Sequence, residues 1–370
     1  MALIVPNISS NPSNGVILGL GGALGWIMGP KENTRASAAP FTLAATSKKQ
    51  IIGFVKSNVY TKENKFFLQG DWRFYIYSQP TYGLGTNSPD SGDIPNSFHW
   101  EGEGGSLDSL SFPMKFNYIK FHEIVNRQVI GNFYAGIGYH LDYYYQIIDE
   151  KLYLDSTPQL LTPHYVYSKA HLFDTAHYMV SGLSLNLVYD SRDNLADPYK
   201  GIYANLNYRY NFRFLGSARE SSSLWVEFRT YIGLSKKRAR NLIGVWVFGD
   251  FNLSGNLPYL TLPAIGEDQR TRSGRGYTNG RYRGKNLVYG EVEWRFPISP
   301  CSQILGGVLF VNATTTDDPD QNMSLFGYIR PAVGVGLRVM VNKYFRTNIN
   351  IDFAIGYHSK GIYFAGQETF

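Results

Sequence analysis

Apolar and polar residues alternate along many segments of this chain with a period of two. In PAVGVGLRVMV, Val333, Val335, Leu337, Val339 and Val341 fall on one face, with smaller or polar residues between them. The same pattern recurs in TNINIDFAIGY, SLWVEFRTYIG and NLVYGEVEWRFPI. Because successive side chains of a β-strand point to opposite faces, this period predicts strands.

The pattern predicts about sixteen strands, an even number that suits closure of a single-chain barrel. Their approximate bounds are 2–10, 15–28, 40–46, 50–60, 65–78, 110–124, 129–146, 175–190, 201–214, 221–235, 241–254, 286–297, 303–312, 329–341, 345–357 and 362–370. The long connections are 79–109, 147–174, 255–285 and 313–328. Long strands with tight turns on one side are typical of membrane barrels. We therefore predict an all-β fold, a transmembrane antiparallel barrel that fills residues 1–370 as one domain.

Composition agrees with this fold class. Charged residues make up 17% of the chain and aromatic residues 15%, whereas soluble domains average about 25% charged residues. The net charge of +6 is spread along the chain, so nucleic-acid binding is not expected. The first residues lack the pattern of a signal peptide. Localisation in the bacterial outer membrane therefore assumes that the sequence is that of a mature chain.

Motifs for catalysis or cofactor binding are weak. The sequence contains no G-x-S-x-G nucleophile motif and no H-E-x-x-H zinc motif, and its single cysteine gives no cysteine-based metal site. GLGGALG (19–25) has the wrong spacing for a dinucleotide site, and DDPD (317–320) fits a solvated loop better than a cation site. We expect neither an enzyme nor a bound cofactor or metal.

The segment RTRSGRGYTNGRYRG (270–284) lies in the long connection 255–285, directly before the strand NLVYGEVEWRFPI. This arrangement resembles the BamA/TamA-like outer-membrane assembly and surface-antigen barrel family, which carries a (V/L)-R-G-(F/Y) motif on a long loop that folds into the lumen. Arg275, Gly276 and Tyr277 match the motif. Glu293 and Arg295 match the inward Glu and Arg of the family's next strand.

Three further segments support the resemblance. NISSNPSNGVILGLG is similar to the opening hairpin of members that lack POTRA domains, and DFAIGYHSKGIYFAGQETF is similar to the closing hairpin. The resemblance implies that the C-terminal Phe370 is a recognition signal for barrel insertion. DSRDNLADPYKG resembles the family's D-x-R-D…P-x-x-G turn, through Asp190, Arg192, Asp193, Pro198 and Gly201.

One position departs from the family pattern. Where the family carries F-x-D-x-G, this sequence has FVNAT, so that Asn312 replaces the aspartate. A loop inside a barrel must pair its arginines with carboxylates, because an unpaired buried charge is costly. We predict that Arg275 pairs with Glu293 and that Asn312 is a further, weaker acceptor. The alternation places other charged residues on the same polar faces: Glu291, Arg295, Arg338 and Asp352. In the alternative, the loop is a solvated tip at the surface.

The resemblance implies a barrel without POTRA domains that is an accessory or autonomous component of protein or lipid insertion or translocation. Its weak seam would join residues 2–10 to residues 362–370. The expected partners are outer-membrane lipids and other outer-membrane or periplasmic subunits. Two alternatives remain, a plugged structural barrel that acts as a scaffold in a larger complex and a diffusion porin.

Overall fold

Sixteen strands form a single sheet whose order follows the sequence, and all of its pairings are antiparallel. The structure is a computed structural model that describes residues 2–11, 15–87, 111–155, 157, 159–269, 272–299, 304–343, 346–366 and 368–370. The predicted all-β antiparallel architecture is confirmed. The strands are β1 (Ala2–Asn11), β2 (Gly15–Trp26), β3 (Ser37–Thr46), β4 (Ile51–Tyr60), β5 (Phe66–Thr81), β6 (Phe112–Ile130), β7 (Phe133–Asp149), β8 (Tyr178–Asp190), β9 (Gly201–Asn211), β10 (Ser221–Gly233), β11 (Leu242–Gly255), β12 (Asn286–Pro297), β13 (Leu305–Thr316), β14 (Arg330–Asn342), β15 (Thr347–Gly356) and β16 (Ser359–Ala365).

Helical structure is confined to the connections. The helix α1 (Pro163–Ala170) lies between β7 and β8. It starts at Thr162, whose side chain accepts a hydrogen bond from the amide of Tyr165 at 3.3 Å, a common N-terminal cap. Single 3-10 turns occur at Lys62–Asn64, Arg213–Leu215, Tyr259–Thr261 and Pro319–Gln321. Within the part of the chain that the structure describes, no helix is long and apolar enough to cross a membrane.

Two predicted boundaries are wrong. A turn was predicted at residues 125–128, but β6 continues to Ile130 and the turn lies at residues 131–132. Gly131 adopts φ 54° there, a conformation that glycine adopts without a steric penalty, while Asn126 is buried. The last strand was predicted over 362–370, but β16 ends at Ala365. The C-terminal end of the predicted seam is therefore shorter than expected.

Successive connections alternate between two ends of the sheet, because neighbouring strands are antiparallel. The four longest connections, 82–111, 150–177, 256–285 and 317–329, all follow odd-numbered strands. They share one end, which we call the loop end. The opposite end, which we call the turn end, holds shorter connections, such as 191–200 between β8 and β9 and 343–346 between β14 and β15.

Polar side chains are buried and apolar side chains are exposed, the reverse of a soluble protein. On β15, Asn350 and Asp352 are at most 4% exposed, whereas Ile351 and Phe353 are 42% and 41% exposed. We call the buried side of the sheet its inner face. An apolar outer face with a polar inner face is the pattern of a β-sheet that crosses a membrane.

The sheet curves around residues 256–285, which we call the interior loop. Lys56 on β4 donates to the carbonyl oxygen of Gln269 at 2.7 Å, and Arg275 donates to Asp352 on β15 at 2.6 Å. β4 and β15 are eleven steps apart in the strand order, about 50 Å in a flat sheet. The six residue steps from 269 to 275 span at most about 20 Å. Only a curved sheet can make both contacts.

Candidate functional site

The interior loop doubles back on itself, so that its two halves support each other. Ala264 pairs with Arg283 in an antiparallel bridge. Arg283 is fully buried and donates to three main-chain carbonyl oxygens within residues 259–262 at 3.1–3.2 Å. It also donates to Glu267 at 2.8 Å. These bonds neutralise a buried guanidinium and fix the base of the loop, from which the tip extends toward β12–β16.

Arg275, at the tip of the loop, binds three carboxylates from two strands. It contacts Glu291 on β12 at 2.5 Å and Asp352 on β15 at 2.6 Å, and it also contacts Glu293 on β12. Its guanidinium carbon lies 3.5 Å from the ring centre of Phe310 on β13. Burial alone lowers the pKa of Arg275, but the three carboxylates outweigh burial and raise that pKa well above its ordinary value. The tip is therefore held by a charged guanidinium in a buried site that three carboxyl groups surround.

Two more arginines join this cluster. Arg295 on β12 donates to Glu293 at 2.7 Å, and Arg338 on β14 contacts Asp352. Arg338 also donates to Glu368 at 2.8 Å, which lies beyond β16. Because each buried charge has an opposite partner, the cluster avoids the cost of isolated charges in the interior. It consists of Arg275, Arg295, Arg338, Glu291, Glu293, Asp352 and Glu368, and we call it the charge cluster.

The structure places the predicted partners of Arg275 differently from the prediction in two respects. Glu293 contacts the guanidinium, but Glu291 and Asp352 do so as well, and the alternation placed both on polar faces without assigning them this partner. Asn312 donates its side-chain amide to the main-chain oxygen of Arg275 at 2.9 Å. Because a carbonyl oxygen only accepts hydrogen bonds, the predicted role of Asn312 as an acceptor is wrong.

Gly276 and Tyr277 place the tip directly against β14–β16. Gly276 adopts φ 107°, and a Cβ atom there would lie 2.7 Å from the Cβ atom of Ala332, so that only glycine fits. The hydroxyl of Tyr277 donates to the carbonyl oxygen of Pro331 at 2.6 Å. The amide of Gly276 donates to the hydroxyl of Tyr363 on β16 at 2.8 Å. Sequence reasoning missed Tyr363, although alternation with the exposed Ile362 and Phe364 puts it on the inner face.

The connection between β8 and β9, residues 191–200, folds inward at the turn end. Asp190 is fully buried and accepts hydrogen bonds from the side chain of Arg192 at 2.8 and 2.9 Å and from the hydroxyl of Tyr60 at 2.8 Å. Gly201 adopts φ 106°, and a Cβ atom there would lie 2.4 Å from the carbonyl oxygen of Ser191. The matched turn residues therefore build one compact structure, which we call the inward turn.

Asp193 performs two tasks in the inward turn. One of its carboxylate oxygens accepts two main-chain amides of the turn at 3.0 and 3.3 Å. Its other oxygen pairs with Arg346, between β14 and β15, at 2.7 Å. Pro198 is buried within the turn.

Asp197, which sequence reasoning did not single out, links the inward turn to β15. It accepts a hydrogen bond from the side chain of Asn348 at 3.1 Å. Burial and the nearby carboxylate of Glu368 raise the pKa of Asp197 to about 7, against the opposing effects of Arg295 and Arg240. The surroundings of the turn therefore favour the neutral form of this carboxyl group.

The C-terminal residue lies inside the curved sheet. Phe370 is 2% exposed, and its ring centre lies 5.5 Å from that of Trp246. Its main-chain oxygen accepts a hydrogen bond from Arg295 at 3.0 Å. In the folded chain Phe370 is therefore packed away from the outer face, and its role as a recognition signal stays a prediction about the unfolded chain.

The acidic run at residues 317–320 forms part of the loop-end contacts. Asp320 pairs with His171 at 2.7 Å and with Lys285 at 3.0 Å. Among the residues that the structure describes, no group of three or more His, Cys, Asp or Glu side chains is arranged to hold a metal ion.

Comparisons with known proteins give a consistent result. The sequence matches the Omp85 superfamily domain over residues 57–370. The fold is similar to that of BamA from Haemophilus ducreyi lacking POTRA domains 1–3, with 14% identity, a TM-score of 0.56, and coverage of 98% of this chain and 68% of that chain. It is also similar to CdiB from Acinetobacter baumannii, with 13% identity, a TM-score of 0.51, and coverage of 97% and 56%. A comparison with curated proteins finds no match.

The polar inner face and the apolar outer face, together with the family match, place the chain in the class of outer-membrane β-barrel proteins. Because the family model covers most of the sequence, the chain belongs to the Omp85 superfamily. At the level of that family, the chain is an insertion or translocation protein of the bacterial outer membrane. The two structural similarities fall below 25% identity and support the fold alone.

Proposed function

We propose that the sheet closes into a plugged barrel that inserts or translocates proteins or lipids by opening a seam between β1 and β16. These strands are the two edges of the sheet. A cavity of about 160 Å³ at the turn end is bordered by Ala23 and Ala38 on one side and by Asn342 and Thr347 on the other. Residues from both flanks of the sheet therefore lie close together, which supports closure.

The observation that carries this proposal is the short edge strand β16. It pairs with β15 only from Asn350 to Gly356, whereas β15 begins at Thr347. Residues 347–349 therefore extend beyond the β16 ladder at the turn end. A short edge strand offers few backbone groups for pairing across the seam, and unpaired backbone groups at an edge can bind another strand.

The filled interior argues against a diffusion porin. The interior loop occupies the concave side of the sheet, and the charge cluster fixes its tip. At the loop end, Tyr167, Tyr259 and Leu260 are buried in one aromatic and aliphatic cluster. A cavity of about 390 Å³ lies between the interior loop and β5–β11. A porin needs a continuous aqueous path, which these layers obstruct.

A plugged scaffold is the second candidate, and the rigid loop end favours it. The hydroxyl of Tyr167 in the α1 region donates to the carbonyl oxygen of Leu257 at 2.9 Å, and His171 binds Asp320 across two loops. Fixed loops are suited to binding a surface partner. We propose that this end faces the exterior, because outer-membrane barrels have their longer loops there.

The seam proposal can be tested by cross-linking. In a Cys301→Ser background, Ile4→Cys and Phe364→Cys place thiols on the outer surfaces of β1 and β16, where these side chains are 59% and 64% exposed. A bis-maleimide linker should then join the two edges. The protein in phospholipid vesicles should accelerate folding of an unfolded eight-stranded barrel, and the cross-link should abolish that acceleration.

A matched control uses Leu206→Cys and Val226→Cys, which are paired across β9 and β10. Their cross-link should leave the acceleration unchanged. Undiminished acceleration in the Ile4–Phe364 cross-linked protein would exclude seam opening. If no acceleration occurs in any form, conductance and co-purification decide between the alternatives. A porin conducts steadily, and a scaffold conducts only after deletion of residues 262–285 and co-purifies with a partner.

A further inference from the structure

The inward turn contacts both flanks of the proposed seam. On the N-terminal flank, Arg35 precedes β3 and donates to the main-chain oxygen of Asp190 at 2.8 Å. A second guanidinium nitrogen of Arg35 lies 3.3 Å from a carboxylate oxygen of Asp190, and it also contacts the carbonyl oxygen of Arg192. One arginine from the N-terminal strands is thus fastened to the start of the turn.

On the C-terminal flank, the same turn binds the connection before β15 and the strand itself. Asp193 pairs with Arg346 at 2.7 Å, and the guanidinium of Arg346 lies 4.0 Å from the ring centre of Tyr199. Asp197 accepts the side chain of Asn348. The contacts to the two flanks start only three residues apart, at Asp190 and Asp193.

The cavity of about 160 Å³ at the turn end lies between the two flanks and the inward turn. It is lined by Arg35 and Ala36 from the N-terminal side, by Leu195 and Ala196 from the inward turn, and by Thr347 from the C-terminal side. The ladder order ends at β1 and at β16, so that the two flanks share no ladder in the described sheet. The turn is therefore a direct bridge between them at this end.

We infer that the inward turn is a clasp that sets the width of the seam at the turn end, with Arg35 holding one flank and Arg346 the other. This inference rests on the proposed seam. The anchoring of the interior loop does not explain the inward turn, and the clasp gives this turn a mechanical role. It also identifies Arg346 as a positioning residue.

The two arms of the clasp differ in strength. Arg35 and Arg346 are similarly exposed, at 22% and 26%, but their carboxylate partners differ: the side chain of Asp190 is fully buried, whereas that of Asp193 is 17% exposed. Breaking a buried charge pair is strongly unfavourable, while partly solvated pairs are weaker. The arm to Arg346 is therefore the one that releases when the seam widens, and the arm to Arg35 stays closed.

Distances between spin labels test the clasp without reference to transport. One label pair, at Leu24 on β2 and Ile349 on β15, spans the seam near the turn end. A second pair, at Leu18 and Ile355, spans it near the loop end. All four side chains are exposed on the outer face. The labels are attached to cysteines in the Cys301→Ser background, with the protein in phospholipid vesicles.

Arg346→Gln removes the charge of the weaker arm and keeps the length of the side chain. We expect longer and broader distances for the turn-end pair and unchanged distances for the loop-end pair. Arg213→Gln, an exposed arginine at the loop end, is the matched control and should change neither. Unchanged turn-end distances in Arg346→Gln would overturn the clasp, as would an equal change at both ends, which indicates general loosening.

A second variant tests the same ion pair from its other side while keeping the turn folded. Asp193→Asn keeps an oxygen for the two turn amides and removes only the charge that faces Arg346, so that it should reproduce the Arg346→Gln result. The vesicle insertion assay is measured separately. Widening without a change in insertion would keep the clasp and reject the seam function. No widening would reject the clasp whatever the insertion rate.

Discussion

The inner faces of the two flanks of the sheet have opposite chemistry. On β2 and β3 the inner face carries small, uncharged residues, with the register pairing Gly19 with Ala44, Gly21 with Thr42, Ala23 with Pro40 and Gly25 with Ala38. On β12–β15 the inner face carries most of the charge cluster, namely Glu291, Glu293, Arg295, Arg338 and Asp352. The interior loop is anchored to the second flank through Arg275, and to β4 through Lys56.

This difference indicates which parts of the molecule move together. Separating a buried ion pair leaves an unpaired buried charge, which costs several kcal/mol. We therefore expect the interior loop and β12–β15 to behave as one rigid unit. The strands β2 and β3 have no comparable charged anchor on their inner face. We therefore expect the N-terminal flank, still fastened to the inward turn through Arg35, to separate from β12–β15 when the seam opens, with the loop retaining its contacts to the C-terminal flank.

The largest expected effect follows from removing the central cation of the rigid unit. Arg275→Ala leaves Glu291, Glu293 and Asp352 without their shared partner in a buried site. Loss of one partner of a buried ion pair destabilises a protein by about 3–5 kcal/mol. We expect the heat-modifiable, folded form on gels to be lost at a lower temperature or lower urea concentration than in the wild type.

Arg275→Lys and Arg213→Ala are the controls for this experiment. A lysine is a single point charge and cannot reproduce the contacts of a guanidinium with several carboxylates, so its stability should lie between those of the wild type and Arg275→Ala. Arg213 is exposed, and its replacement should have little effect. Wild-type stability in Arg275→Ala would show that the charge cluster does not hold the loop.

Local rules were sufficient to predict the strands and the inner position of the arginine motif. The period of two is imposed by strand geometry, and the requirement that a buried arginine be paired pointed to Glu293. The direction of the Asn312 hydrogen bond could not be predicted, because it depends on which atom of Arg275 faces β13. That orientation is a property of the folded loop.

The contacts of the clasp also could not be predicted from the sequence pattern. Asp190 and Arg192 were recognised as a turn motif, but their contact with Arg35 joins residues more than 150 positions apart in sequence. The end of β16 was misplaced because residues 366–370 continue a plausible strand pattern. Contacts of Glu368 and Phe370 with Arg338 and Arg295 instead hold this segment inside.

Two glycines offer a smaller, matched test of the comparison: Gly276 of the interior loop, which packs on the C-terminal flank, and Gly21 of the N-terminal flank. At Gly276, φ is 107° and a Cβ atom would meet Ala332 at 2.7 Å. At Gly21 on β2, the nearest atom to a Cβ would be the Thr42 hydroxyl oxygen at 3.5 Å, an ordinary contact. We expect Gly276→Ala to lower the free energy of unfolding by about 1–3 kcal/mol, because strained backbone positions cost that much.

Gly21→Ala should leave that free energy unchanged within about 0.5 kcal/mol, as for most substitutions without a steric conflict. Both variants are compared by urea unfolding in the same detergent. Equal destabilisation by the two substitutions would mean that the flanks are packed equally tightly, and the contrast between them would then be lost.

The smallest expected effect concerns the bond between the interior loop and the edge strand. Tyr363→Phe removes a hydroxyl that accepts the amide of Gly276 and donates to the carbonyl oxygen of Tyr277. The loss should be about 1 kcal/mol, a typical net value for a hydrogen bond. It should appear locally, as faster amide hydrogen exchange within β16, because β16 is a short strand at the sheet edge.

Tyr208→Phe is the control, since Tyr208 lies on the outer face of β9 and is 37% exposed. Exchange in β16 should be unaffected by this change. Faster exchange in β16 of Tyr363→Phe, with unchanged exchange in β2 and β3, would show that the loop tip steadies only the C-terminal edge of the seam. Faster exchange on both flanks of Tyr363→Phe would mean that the loop tip stabilises both edges of the seam together. The N-terminal flank would then not move independently.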